Sequence, residues 1–122
     1  MNGIDYLADT NAMLYLLSGN ACMGPFLTAK LGVSCITEME LLSFPNISAE
    51  EEESIRTVLS CCTVIALHTG IKERTIALRR KYRIKLPDAI IAATAVDQGV
   101  PLLSADKGFS KIMELQLKLL RP

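Results

Sequence analysis

The 122-residue chain lacks several features that would mark a specialised function. It has no tryptophan and only three phenylalanines and three tyrosines, so we do not expect an aromatic platform for stacking nucleic-acid bases. Its formal net charge is zero, so a polyanionic partner would have to be held by a local basic patch. One histidine, His68, and four cysteines without a C-x-x-C pair argue against a zinc site, and we interpret His68 as structural.

No apolar run in the sequence is long enough to cross a membrane. The longest one of interest, AIIAATAV, has eight residues, against the roughly 20 that a spanning helix needs. The N-terminal segment has neither the basic nor the apolar region of a secretory signal peptide. We therefore expect a cytoplasmic protein with no membrane partner, a single domain over residues 1–122, and cysteines that are buried free thiols.

Short apolar segments alternate with helical ones along the chain. Five segments are predicted to be strands: 4–8, 32–36, 63–67, 101–105 and 115–120. Six are predicted to be helical: 10–18, 22–31, 37–44, 48–61, 69–83 and 86–99. A loop or short helical turn is expected at 106–114. This order predicts an α/β fold with helices on both faces of a mostly parallel five-stranded sheet, whose last strand alternates apolar and polar residues and lies near an edge.

One run of acids has a purely structural interpretation. Ser48 and Glu51 have the spacing of a capping box at the start of the helix predicted for 48–61. The glutamates at 50–53 lie in its first turn, where the helix dipole favours negative charge. We therefore predict a solvated helix start here and no binding site.

Four other acids lie near predicted strand ends and helix starts. Asp9 and Asp106 follow the first and fourth predicted strands, Glu40 lies four residues beyond the second, and Asp88 is in the first turn of a helix. Each has an ordinary explanation. Asp9 could be an N-cap and Asp106 a turn residue. Glu40 could form a capping box with Thr37, and Asp88 could complement a helix dipole. Taken singly, these structural roles are the better interpretation.

The shared position of the four acids favours a common site. In a parallel α/β sheet, the carboxyl ends of the strands and the starts of the following helices lie along one edge, where ligands bind. Four carboxylates placed there would raise one another's pKa values unless a cation were present. Carboxylate ligands without His or Cys suit Mg²⁺ or Mn²⁺, and such ions activate water for phosphate chemistry.

Four segments resemble the PIN domain, and within it the VapC-type ribonuclease toxins of bacterial toxin–antitoxin pairs: LADTNAML, VSCITEMELLSF, LPDAIIAATAV and PLLSADKGF. They occur in the family's order and at its separations over nearly the whole chain. The resemblance implies an α/β/α sandwich with a central parallel sheet and a metal-dependent endoribonuclease. It also implies RNA as the substrate, a homodimer, and a cognate antitoxin that blocks the active-site groove.

The same resemblance implies roles for individual residues. The ligands of Mg²⁺ or Mn²⁺, and the catalytic residues, would be Asp9, Glu40, Asp88 and Asp106. Thr10, Asn11 and Ser104 would orient these carboxylates. Glu38 is the alternative to Glu40. Because residues two apart on a helix point about 200° apart, only one of them can face the cleft, and the family pattern S-x-I-T-x-x-E-L selects Glu40.

Basic residues are concentrated in one segment. Seven of the thirteen Lys and Arg residues lie between positions 72 and 85, where only Glu73 opposes them. A solvated helix face with cations near its C-terminal end explains the cluster as well as RNA binding does. Arg83 and Lys85 closely precede Asp88, so we expect these two at the rim of the cleft, where they would position RNA phosphates.

Other functions remain open from the sequence alone. A receiver-like phosphoacceptor domain of signalling proteins has a similar size and alternation, but it calls for adjacent acids after the first strand and an aspartate after the third, where this chain has LHTG. A non-catalytic PIN-like binding module should have lost part of the acidic quartet, which is complete. The apolar segments AMLYLL and AIIAATA suggest a further buried face, in a dimer or against an antitoxin.

Overall fold

The structure is a computed structural model that describes residues 3–122, and it contains the five strands expected from the sequence. The strands are β1 (Tyr6–Ala8), β2 (Leu31–Ser34), β3 (Thr63–Ile65), β4 (Leu102–Ser104) and β5 (Leu117–Leu119). The α-helices are α1 (Thr10–Leu17), α2 (Cys35–Leu42), α3 (Ala49–Ser60), α4 (Thr69–Lys81) and α5 (Leu86–Gln98). Two short 3₁₀ helices span Ala21–Phe26 and Lys107–Lys111. Every strand is shorter than predicted.

The strands form one sheet in the order β3-β2-β1-β4-β5, and every neighbouring pair is parallel. Leu7 of β1 pairs with Gly32 of β2 on one side and with Leu102 of β4 on the other. β5 is an edge strand, as its alternating sequence predicted. The order also excludes the receiver-like alternative, because receiver domains have the strand order 2-1-3-4-5.

Each face of the sheet carries its own core, so the protein is an α/β/α sandwich. Successive residues of a strand point to opposite faces. Ala8 and Leu103 therefore pack in the core that contains α1, α2 and α3. Leu7 and Leu102 pack in the other core, with α4 and α5. The predicted fold class is confirmed.

The start of α2 differs from the prediction. β2 ends at Ser34, and the Ser34 hydroxyl accepts a hydrogen bond from the backbone N–H of Ile36, so Ser34 is the N-cap of α2. Thr37 consequently lies inside the helix, fully buried, and the capping box suggested for Thr37 and Glu40 does not form. By contrast, the capping box of Ser48 and Glu51 is present at the start of α3.

The two apolar helices differ in how much of their surface remains available. In α5, all seven residues of Ala89–Ala95 are buried, so the suggestion that AIIAATA needs a further partner is wrong. Pro87 lies in the first turn of α5, and Gly99 ends the helix with φ of +67°. In α1, Ala12 and Met13 are buried, but residues 14–17 are only half-buried. That flank remains open to a partner.

Two smaller expectations have clear outcomes. The four cysteines are free, but one is exposed and three are half-buried, so the prediction of buried thiols is wrong: Cys22, Cys35, Cys61 and Cys62. Within residues 3–122, the helices are all too short or too polar to cross a membrane.

Candidate functional site

The adjacent ends of β1 and β4 form the base of the candidate site. Asp9 follows β1, and its backbone N–H donates to the Leu103 carbonyl at 3.1 Å. This bond places Asp9 beside Ser104, the last residue of β4. The fully buried Ser104 hydroxyl hydrogen-bonds the Asp9 carboxylate and accepts from the backbone N–H of Asp106 at 3.0 Å. One serine thus joins the segments that carry two of the four acids.

The four predicted acids lie around one cleft of about 300 Å³. They come from four separate parts of the chain: the end of β1, α2, the first turn of α5, and the turn after β4. The apolar part of the cleft wall is formed by Leu14, Phe44, Ile91 and Phe109. The sheet edge therefore gathers carboxylates that are up to 97 positions apart in the sequence, as the strand order requires.

Glu40 is held in the cleft from a different helix. The Thr10 hydroxyl donates to Glu40 Oε1 at 2.6 Å and lies 3.2 Å from the Thr37 hydroxyl. Of the two candidate glutamates on α2, Glu40 lines the cleft. The contact with Thr10 takes the place of the predicted capping box, and it gives the buried Thr37 hydroxyl a hydrogen-bond partner.

Asp9 and Asp106 do perform the ordinary structural roles. Asp9 caps α1, with Oδ1 accepting from the Ala12 N–H at 2.8 Å. Asp106 caps the second 3₁₀ helix, with Oδ1 accepting from the Gly108 N–H at 2.8 Å. A carboxylate has two oxygens and can accept several hydrogen bonds, so capping leaves each group able to face the cleft as well.

Burial and mutual repulsion affect the charge of Asp9. It is only 5% exposed, and this burial is the main reason its pKa is raised. The hydrogen bonds from Ser104 and the Ala12 N–H act in the opposite direction. The negative charges of Asp106 and Asp88 raise the pKa further. The ionised form of Asp9 is therefore less stable in the folded protein than that of an aspartate in water.

Asp88 is affected in the same way. Burial raises its pKa first, and the charge of Asp106 raises it next. Lys85 lowers the pKa and Glu40 raises it, and the net shift is upward. One lysine therefore does not offset the negative charge collected in the cleft.

The donor set fits a hard divalent cation. Within residues 3–122, no three His, Cys, Asp or Glu side chains lie close enough together to form a preformed metal site. The cleft instead offers spaced carboxylates and a deficit of positive charge. Mg²⁺ suits such an arrangement, because it keeps several of its waters and binds through one or two carboxylates.

The residues predicted to support the acids differ in what they contact. Thr10 contacts Glu40, and Ser104 contacts Asp9. Asn11 lines the cleft and is exposed, but in the part of the chain that is described no hydrogen bond joins it to a carboxylate.

A second recess of about 200 Å³ adjoins the cleft and shares Asp88 and Asp106 with it. Arg83 and Lys85 line this recess, at the rim where the sequence placed them. Lys111 also lines it and was not predicted. It lies in the second 3₁₀ helix. The sequence of this short irregular segment has no periodic pattern from which the position of Lys111 near the cleft could be predicted.

His68 has a structural role, as expected. It caps α4, with Nδ1 accepting from the Gly70 N–H at 3.1 Å, and its Nε2 lies 3.1 Å from Asp97 Oδ2. Arg74 also approaches Asp97, at 3.8 Å. These contacts join α4 and its N-cap to the end of α5.

These features define a class of protein, a small parallel α/β domain with an acidic cleft at the carboxyl edge of its sheet. The model of the PIN domain family matches residues 6–115, and the chain belongs to that family. The resemblance found in the sequence is therefore confirmed. A comparison with curated proteins gives no significant match.

Three of the solved structures with the same fold come from bacterial complexes. A chain from a toxin–antitoxin complex of Klebsiella pneumoniae is 34% identical, with a TM-score of 0.79 over 91% of this chain and 95% of that one. A chain of VapBC2 from Rickettsia felis, bound to a promoter DNA fragment, is 18% identical, with a TM-score of 0.83 over 97% and 100%. A chain of VapBC-1 from nontypeable Haemophilus influenzae is 23% identical, with a TM-score of 0.77 over 95% and 98%. The last two support the fold alone.

Proposed function

We propose that the protein is the toxin of a toxin–antitoxin pair and that it acts as a divalent-metal-dependent endoribonuclease. The observation that carries this proposal is the convergence of four carboxylates from separate elements on one cleft that lacks compensating positive charge. The PIN domain family consists of nucleases, which generally use divalent metals. The relative from Klebsiella pneumoniae occurs in a toxin–antitoxin complex.

The reaction in this proposal is hydrolysis of an RNA phosphodiester by in-line attack of water. Asp9, Glu40, Asp88 and Asp106 would hold Mg²⁺ or Mn²⁺. When bound, such an ion lowers the pKa of water and stabilises negative charge on the phosphate oxygens.

The chain's own residues position the reacting groups. Thr10 fixes the Glu40 carboxylate, and Ser104 fixes Asp9 relative to Asp106. Asp88 or Asp106 orients the attacking water. Asn11, exposed at the cleft wall, supplies an amide that can donate a hydrogen bond to a phosphate or accept one from water.

RNA binding in this proposal begins with Arg83 and Lys85. Both are exposed and line the recess that adjoins the acids. Contacts of this kind to phosphates set the position of the strand without reading its sequence. They also bring the negatively charged substrate close to carboxylates that would otherwise repel it.

A cognate antitoxin is the proposed protein partner, and the protein is proposed to be a homodimer. An apolar groove of about 520 Å³ runs from the cleft along α1, with Leu14, Leu17, Phe44 and Ile47 in its wall. A partner in this groove would obstruct the cleft. We expect co-expression with the product of a small adjacent reading frame to suppress RNA cleavage.

Light scattering should give a dimeric mass, and a monomer would contradict that part of the proposal.

Incubation of the purified protein with single-stranded RNA tests the nuclease. Cleavage should occur with Mg²⁺ or Mn²⁺ and stop in EDTA. Cleavage that is undiminished by EDTA would contradict the proposal. The complete acidic quartet argues against the alternative of a non-catalytic PIN-like binding module. Absence of cleavage with both ions would nevertheless favour that alternative.

A further inference from the structure

The acid cleft has two neighbours of opposite character. On the side of α1 and α3, it shares Leu14 and Phe44 with the apolar groove, whose other wall includes Glu50 and Glu51. On the side of the loop between α4 and α5, it shares Asp88 and other residues with the recess of about 200 Å³. The cations of this recess are Arg83, Lys85 and Lys111. We call it the basic recess.

The three cations of the basic recess are not used in ion pairs. Within residues 3–122, none of them lies within 4.0 Å of a carboxylate oxygen, the distance that defines an ion pair. Other basic side chains are paired: Lys81 with Glu114 at 3.2 Å and Arg56 with Glu52 at 2.8 Å. The three cations of the basic recess, unlike Lys81 and Arg56, therefore remain available to an anion that enters the recess.

Lys111 joins the two sides of the basic recess. Its Nζ donates to the backbone carbonyl of Arg83 at 2.5 Å. An ammonium group has three donors, so two remain for a ligand. A carbonyl does not neutralise the charge of Lys111, so the full positive charge faces the recess. This contact positions the lysine before any ligand arrives.

Nearby contacts hold the same two segments together. The Tyr82 hydroxyl donates to Glu114 Oε1 at 2.6 Å and accepts from the Met113 N–H at 3.1 Å. The residues on either side of the basic recess are thus connected through their neighbours. A site held in place in this way loses less conformational entropy when a ligand binds.

We infer that the basic recess is a phosphate subsite for the RNA strand and that Lys111 is an RNA-positioning residue in it. The inference rests on the proposed nuclease function. It assigns a direction to the substrate: the strand leaves the acid cleft towards Lys85 and Lys111, and not along the groove where Glu50 and Glu51 would repel its phosphates. The subsite takes a phosphate that neighbours the scissile one.

Binding of a short single-stranded oligoribonucleotide, followed by fluorescence anisotropy across a salt titration, tests the subsite. The protein is the full chain carrying Asp9→Asn, so that the RNA stays intact during the measurement. Lys111→Gln and Lys85→Gln should each weaken binding and make the slope of log K against log salt shallower by about 0.7. The loss of affinity should then shrink roughly threefold for each fourfold rise in salt.

Matched variants separate charge from structure. Lys72→Gln removes an exposed cation of α4 that lies outside the basic recess, and it should leave both affinity and slope unchanged. Lys111→Arg keeps the charge and should restore binding. The Lys85 side chain makes no capping hydrogen bond at the start of α5, so Lys85→Gln tests the subsite even if loss of Lys111 disturbs the fold.

The outcomes distinguish this inference from the nuclease proposal. If Lys111→Gln and Lys85→Gln bind RNA as Lys72→Gln does, the subsite is wrong, whether or not the wild type cleaves RNA. If the wild type cleaves nothing but the binding losses occur, the nuclease proposal fails and the basic recess stands only as an RNA-phosphate site, without a scissile phosphate beside it. In an active protein, Lys111→Gln should raise KM more than it lowers kcat, because it removes binding that substrate and transition state share.

Discussion

Two acidic regions, the start of α3 and the cleft, contain carboxyl groups whose pKa values are shifted in opposite directions. At the start of α3, Glu51 accepts a hydrogen bond from the backbone N–H of Ser48 at 3.1 Å, and its pKa is lowered. Glu52 pairs with Arg56 across one turn of helix. The Glu51 carboxylate is therefore stabilised as an anion by its hydrogen bonds with Ser48 at the helix terminus.

In the cleft, two of the carboxylates, Asp9 and Asp88, are destabilised as anions. The pKa values of Asp9 and Asp88 are raised, mainly by burial and additionally by neighbouring acids. Asp9 also caps a helix, so a cap alone does not decide the outcome. The difference lies in burial, which dominates at Asp9 and Asp88 but is outweighed by hydrogen bonds at Glu51, and in the charges of neighbouring acids, which raise the pKa values of Asp9 and Asp88 and do not affect that of Glu51. A bound cation would stabilise the ionised carboxylates of the cleft, whereas those at the start of α3 need no cation.

The largest effect expected from this comparison is on RNA cleavage. Asp9→Asn keeps a good N-cap but removes the charge at the base of the cleft. Cleavage should fall by about a hundredfold to a thousandfold, as when one preorganised electrostatic group is removed from an active site. Glu50→Gln removes a charge from α3 and should leave cleavage unchanged. Equal activity of Asp9→Asn and the wild type, with folding verified by circular dichroism, would remove the distinction between the two regions.

A smaller loss is expected when Ser104 is changed. Its hydroxyl connects Asp9 to the backbone of Asp106, so Ser104→Ala leaves all four carboxylates present but less well positioned. Groups that orient metal ligands typically contribute tenfold to a hundredfold. The titration of activity with Mg²⁺ should also shift to higher concentrations. Ser60→Ala, in the last turn of α3, is the control, and an effect as small as that of the control would deny Ser104 a positioning role.

Stability in the presence of Mg²⁺ gives a further comparison. An ion that binds only the folded state adds about 2.7 kcal/mol at a hundred times its Kd. The wild type and Glu50→Gln should both show this increase in urea denaturation, and EDTA should remove it. Asp9→Asn should show much less of it. An equal response of all three proteins would mean that the ion binds elsewhere or binds the unfolded chain.

The sequence predicted the architecture because its strands and helix ends are strongly marked. Short apolar runs, Pro87 and Gly99 defined the order of elements, and that order predicted a parallel sheet. The same logic placed four acids along one sheet edge. The capping box at Ser48 was also predictable, because both partners lie within one turn and need no tertiary contact.

The contacts inside the site could not be predicted in the same way. The partner of Glu40 is Thr10, thirty residues earlier, and not Thr37. Its choice depends on how α1 packs against α2, which no local pattern specifies. Lys111 reaches the basic recess through an irregular segment. The proposed burial of AIIAATA by a partner was wrong because the segment packs against the sheet and against α4 and α2 of its own domain.

The smallest and most specific prediction concerns the sign of the pH dependence of stability without divalent cations. The pKa of Asp9 is raised above its ordinary value of 3.8, so ionisation costs stability once the pH exceeds that value. As the pH rises from 3.8 through the raised pKa of Asp9, Asp9→Asn should therefore become more stable relative to the wild type. Below pH 3.8 the substitution should bring no such gain. The pKa of Glu51 is lowered from 4.5, so its ionised form contributes stability that is lost as the pH falls through the lowered value. Glu51→Gln should therefore be less stable than the wild type at neutral pH and equal to it in acid. Urea denaturation in EDTA across this range should give stability differences of opposite sign, and differences of the same sign would show that the two acidic regions share one electrostatic behaviour.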